Sequence, residues 1–168
     1  MKKKAEKKRR ISLTEMEVAI AEMYGVAKHL IVTNVSWGMD MHECDILVLR
    51  PTGYALEIEI KRSLADMKKD AEKKHGHVDR QNRLKELYFA FPDDICEKCT
   101  VHLPAGAGVI LVSRKTTGNV RAKIIKPATP VKNARPFDEK EISQLQRLAA
   151  MRAWTAKRRI IRLEKKID

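Results

Sequence analysis

A turn constrains this chain more than any other feature. Arg50-Pro51-Thr52-Gly53 stands between two runs of strand-forming residues, 44–49 and 55–61. Pro presets a tight turn and Gly tolerates its left-handed position, so the two runs read as a β-hairpin. A hairpin makes its strands antiparallel, whereas a doubly wound nucleotide fold joins parallel strands through helices. The chain also lacks a GxGxxG or Walker A sequence, so no glycine-rich loop is there to cradle a nucleotide.

The remaining elements arrange themselves around that hairpin. Thr14 and Glu17 have capping-box spacing, and Met16, Ala19, Ile20 and Met23 recur at helical intervals before Gly25. Residues 29–35 are rich in Ile and Val and predict an extended segment. Ser63 caps a second predicted helix over 64–74, with Asp66 at its third position, ending near His75-Gly76-His77. Residues 87–91 read as a short aromatic strand closed by Pro92. Two more strands, 108–112 and 120–126, flank Thr117-Gly118-Asn119. Pro127, Pro130 and Pro136 mark a linker before a long helix over 138–166, where Trp154 is expected to pack on the sheet. The order predicts an α/β fold with a mixed β-sheet flanked by helices. It divides the chain into a disordered basic arm (1–11), an α/β core (12–127) and a Pro-containing linker with a basic C-terminal helix (128–168).

Charge narrows the partners. Lys and Arg total 35 against 22 Asp and Glu, a formal charge of +13, which favours a polyanion such as nucleic acid over an anionic membrane surface. An apolar fraction of 43% excludes a wholly disordered chain. No apolar run reaches the roughly eighteen residues of a membrane span. The start MKKKAEKKRR is basic, but ISLTEMEVAI behind it carries two Glu where a signal peptide needs its apolar stretch. Three cysteines suit a reducing compartment better than a disulfide framework, so a cytoplasmic, nucleoid-associated protein is expected.

The stretch from His42 to Asp70 carries the chemistry. Asp45 begins one strand of the hairpin, and on the other Glu57, Glu59 and Lys61 alternate with Ile58 and Ile60, which puts three ionisable side chains on one face. Neighbouring carboxylates repel unless a cation lies between them. Mg²⁺ or Mn²⁺ would remove the conflict, since Mg²⁺ takes one or two carboxylates and leaves other positions to water and substrate phosphate. Lys61 reaches the same space, where its charge can hold an attacking water or stabilise charge growing on phosphorus. The plain reading of EIEIK is a solvated edge strand whose charges block edge pairing. Glu57 is read as a surface carboxylate ahead of a ligand to a second ion. Glu43, by alternation, is expected to point away from Asp45's side.

Asp45, a short hairpin and Glu59-Ile60-Lys61 resemble the signature of the PD-(D/E)xK nuclease superfamily. The Pro of that signature is replaced here by Cys44. The run EIEIKRSLADMKKD, followed by a short strand, a Pro and an apolar GVILV strand, resembles its MmcB-related, phage-type branch. The resemblance covers roughly residues 14–126 and implies a restriction endonuclease-like αβββαβ core with the long C-terminal helix appended. It implies that Asp45 and Glu59 bind the metal, that Lys61 assists the attacking water, and that a Glu on the first helix completes the metal shell. Glu17 is the match for that Glu, ahead of Glu22 and Glu15. The activity implied is metal-dependent cleavage of DNA phosphodiesters in repair, recombination or a mobile-element setting. The alternative is a non-catalytic DNA-binding module of the same fold, and a third reading is an RNA-associated protein.

Lys68, Lys69, Lys73, Lys74, Arg80 and Arg83 follow the proposed site and are candidates for backbone-phosphate contacts. The N-terminal arm and the basic last helix would add salt-dependent affinity. Cys96-x-x-Cys99 with His102 lacks the four ligands of structural zinc and is read as two ordinary part-buried cysteines. His75, His77 and Asp79 read as a polar turn. A homodimer or a partner DNA-processing protein would suit cleavage of both strands.

Overall fold

The computed structural model describes residues 9–35, 42–71 and 82–166. In chain order the elements are α1 (Leu13–Tyr24), β1 (Leu30–Val35), β2 (Cys44–Leu49), β3 (Ala55–Ile60), α2 (Leu64–Ala71), β4 (Leu84–Pro92), α3 (Cys96–Thr100), β5 (Gly108–Arg114), β6 (Val120–Lys126) and α4 (Glu139–Glu164). The six strands form one sheet in sequence order. β1, β2 and β3 run mutually antiparallel, β3, β4 and β5 run parallel, and β6 returns antiparallel to β5. The fold is mixed α/β with a long C-terminal helix. No helix among the described residues is long and apolar enough to cross a membrane.

The hairpin forms where the turn dictates. Leu49 pairs with Ala55, Arg50 N donates to Tyr54 O, Gly53 N donates to Arg50 O, and Gly53 sits at φ 81°. α1 begins earlier than its expected cap at Thr14. Ser12 has the extended backbone of a cap and its Oγ accepts from Glu15 N, while Glu15 Oε2 accepts from Ser12 N at 2.8 Å. Thr14 and Glu17 repeat the same spacing two residues on, but by then the backbone is already helical, so Glu17 is released from capping.

The sheet has two different sides. On one, α1 sends Met16, Ala19 and Ile20 into a continuous apolar layer with Ile46, Val48, Leu56, Ile58, Ile60 and Ile110. On the other, two separate clusters form. α4 covers β1 and β2 through Leu145 and Leu148, and α2 with α3 covers Phe89, Phe91 and Val109 through Met67, Cys96 and Cys99. Cys96 and Cys99 are thus buried packing residues.

The proline segment is packed rather than a loose linker. Phe137 is buried, its N donates to Gly53 O at 2.8 Å, and a Cβ placed on Gly53 would stand 3.0 Å from Pro136 Cβ. The segment clamps the hairpin turn and leads into a second capping box, Asp138 with Glu141. Trp154 does not pack on the sheet. Apolar packing between α4 and the core ends around Leu148 and Ala149, and Arg152 adds a hydrogen bond to Asn34 O of β1 at 2.6 Å; Trp154 is 63% exposed, with Lys157 Nζ 5.0 Å from its ring centre.

Candidate active site on the central hairpin

β3 lies between β2 and β4, and all six of its residues are buried, so EIEIK is not a solvated edge. Leu56, Ile58 and Ile60 fill the α1 layer. Alternation then sends Glu57, Glu59 and Lys61 to the opposite side, where the apolar layer is interrupted. Ile46 pairs with Ile58, which puts Asp45 one step on, beside Glu59. Asp45 Oδ2 accepts from Ile60 N at 2.7 Å and so is fixed to the end of β3. Lys61 Nζ donates to Glu59 Oε2 at 2.7 Å and stands 5.9 Å from the Phe89 ring centre.

The electrostatics join α1 to this hairpin. Burial raises the pKa of Glu59; Lys61 opposes the shift through its hydrogen bond, and Asp45 adds to it. Burial also raises Glu17, and the next contribution is the charge of Asp45. Asp45 of β2 is thus the carboxylate whose charge acts both on Glu17 of α1 and on Glu59 of β3. The other helix glutamates have different places. Glu15 is held by the Ser12 backbone and by Arg114, whose guanidinium donates to it at 2.9 Å, and its pKa falls to about 2. Glu22 lines a separate depression with Thr14, Val18 and Arg121.

An open depression of about 400 Å³ lies over these groups, lined by Glu43, Asp45, Glu59, Ile60, Lys61, Asp66 and Lys69. Glu43 thus shares Asp45's cleft instead of pointing away from it, because it precedes the first residue of β2, where strand alternation does not hold. Asp45 also borders a second depression, which receives Arg9, Arg10 and Arg62. Sequence reasoning had left these three cations out of the site. Their signal was modest: Arg62 directly follows the Lys61 of the motif, and Arg9 and Arg10 fall at the end of a run that reads as an arm.

Two sequence-based assignments are corrected by burial. Glu57 is not a surface carboxylate: it is 1% exposed, and its Oε1 lies 2.7 Å from His42 Nε2. Arg83 is 1% exposed with its guanidinium 3.6 Å from Glu141 Oε1, so it is not placed to meet a nucleic-acid phosphate. Lys68 and Lys69 are exposed on α2. Lys73, Lys74 and Arg80, with His75, His77 and Asp79, lie outside the described residues. Among the described residues, the group whose potential ligand atoms lie within 4.8 Å of one another is His42, Cys44 and Glu57, and not Glu17, Asp45 and Glu59.

No family model matches the chain, and no curated protein matches it. Among solved structures, SPO1766, a protein of unknown function from Silicibacter pomeroyi, is similar with a TM-score of 0.55 and 21% identity, over 90% of this chain and 88% of that one. That likeness extends over most of both chains and concerns the fold alone.

Proposed function

We propose that the protein is a small restriction endonuclease-like nuclease that uses Mg²⁺ or Mn²⁺ to cleave DNA phosphodiesters, of the PD-(D/E)xK type. One observation carries the reading: Asp45 and Glu59 lie side by side on the hairpin with Lys61 bonded to Glu59, all three lining one open cleft. The order α1, three strands, α2, β4 supports the αβββαβ core of that superfamily.

The residues suit a hard divalent cation, because burial and the charge of Asp45 raise the pKa of both Glu59 and Glu17, and a dication would offset that repulsion. Asp45 and Glu59 would hold it, and Glu17 would complete the shell from α1. When bound, the ion acts as a Lewis acid and lowers the pKa of bound water. Lys61 holds the attacking water or meets the charge developing on phosphorus. Lys69 lines the same cleft, with Arg62, Arg9 and Arg10 beyond Asp45, and Lys68 is exposed near Lys69 on α2. These are the cations that would seat the phosphate backbone. The preference for nucleic acid rests on the net charge of +13, and the repair, recombination or mobile-element setting on the family resemblance.

The test is cleavage of labelled linear, nicked, single-stranded and four-way-junction DNA, and of RNA, with Mg²⁺, Mn²⁺ or EDTA. Asp45→Ala and Lys61→Ala proteins of verified fold are run alongside. Metal-dependent cutting of DNA that both variants lose supports the reading. Binding of every substrate with no cutting overturns it in favour of a DNA-binding module, and cutting confined to RNA replaces the substrate.

A further inference from the structure

We propose that His42, Cys44 and Glu57 form a second, chemically distinct metal site that takes zinc. It goes beyond the nuclease reading and does not depend on it. His42 Nε2 lies 2.7 Å from Glu57 Oε1 and 3.9 Å from Cys44 Sγ, and one ligand atom from each residue falls within a common 4.8 Å. Tetrahedral zinc with bonds of about 2.0 Å to nitrogen and oxygen and about 2.3 Å to sulfur spaces its ligand atoms roughly 3.3–3.6 Å apart. The His42–Glu57 pair would therefore open by about half an ångström and the His42–Cys44 pair close by about 0.3 Å, shifts within reach of side-chain torsions.

The donor set selects the metal. One imidazole, one thiolate and one carboxylate suit a borderline-soft ion, whereas Mg²⁺ and Mn²⁺ prefer oxygen alone. Three protein ligands leave the fourth position to water. Cys44 and Glu57 are both buried, so two of the three ligands are held in place by the packing around them. Binding forms a Zn–S bond and releases the Cys44 thiol proton to solvent, with no change of oxidation state.

The position gives the site a purpose. His42 and Cys44 lead into β2 and Glu57 lies on β3, so one ion would tie the entry of β2 to its neighbour strand beside Asp45. Zinc would thus act as a positioning element for the hairpin's carboxylates.

The experiment uses the full chain, freed of metal with a chelator and titrated with Zn²⁺ and with Co²⁺. Expected are one zinc retained per chain after dialysis, about one proton released per ion, and a thiolate-to-cobalt charge-transfer band. Cys44→Ser should remove the band and weaken zinc binding by at least about 100-fold, since even outer-shell changes cost 10–100-fold. His42→Gln, at a part-exposed position, should likewise weaken zinc binding and serves if the buried cysteine variant fails to fold. Cys96→Ser should change nothing. No retained zinc, or binding that follows Cys96 instead of Cys44, overturns the proposal. The cobalt band is read without nucleic acid, so failure of the nuclease reading leaves this result intact, and the reverse also holds.

Discussion

The two sides of β3 are equally buried and chemically opposite. Leu56, Ile58 and Ile60 join a single apolar layer beneath α1, while Glu57, Glu59 and Lys61, on alternate residues, separate two clusters beneath the other helices. The apolar side gains stability from each methylene removed from water. The charged side must recover the desolvation of its ions through hydrogen bonds to His42 and Lys61, and such pairs seldom exceed break-even against hydrophobic residues. One strand therefore divides its work: the side that stabilises has no reactive group, and the side with reactive groups adds little stability. Helix α1 repeats the contrast at shorter range. Burial raises the pKa of Glu17, which faces the charge of Asp45, whereas Glu15, two residues away, is lowered by a backbone amide and an arginine.

The most drastic break of this division is on the charged side. For the metal-dependent DNA cleavage proposed above, Asp45→Ala or Glu59→Ala is expected to reduce the rate at least a thousandfold, about 4 kcal/mol of barrier, in a gel assay with folded protein. Next is Lys61→Met, which leaves the Glu59 carboxylate buried without its ammonium and should cost about 3 kcal/mol in urea unfolding. Adding Glu59→Gln to it should return much of that loss while leaving cleavage absent, which separates the energetics of the pair from its chemistry. On the apolar side, Ile58→Val should lower stability by about 1 kcal/mol and leave cleavage unchanged.

The smallest effect concerns Glu15. Its folded pKa of about 2 lies below the ordinary 4.5, so its contribution to stability is complete above 4.5 and disappears as pH falls through the folded value. Glu15→Ala should therefore show a shallower loss of stability than the wild type between pH 5 and about pH 2, measured by urea midpoints.

Where the sequence carries its own local instructions, the fold was legible. The Pro-Thr-Gly turn, the strands on either side and the final strand at 120–126 were all readable, since turn chemistry and period-two alternation act within a few residues. The five-residue α3 has no side-chain cap hydrogen bond, and β4 begins at Leu84, earlier than its aromatic run, because Lys85 and Glu86 mask its start. At the site, alternation predicted the shared side of Glu57, Glu59 and Lys61. The misread residues are those whose partner is remote in sequence. Glu57 is matched by His42 fifteen positions earlier, and Arg83 faces Glu141 from the far end of the chain. Glu17 as a cap failed for a local reason, since Ser12 offered the same pattern first.

α4 has one pinned end and one free one. Its inner turns are anchored by the capping box, by Leu145 and Leu148 and by the Arg152 hydrogen bond to Asn34 O, whereas Met151, Trp154, Ile160, Ile161 and Leu163 are exposed. Anchorage supplies the nucleus whose formation makes isolated short helices marginal, so the outer turns need only propagate from it. Arg162 in the last turn and Lys165 at its cap sit where the negative end of the helix dipole favours them. The outer segment therefore holds its helix by its own propensity and by continuity with the anchored turns, so heat and salt are expected to act on it before they act on the core.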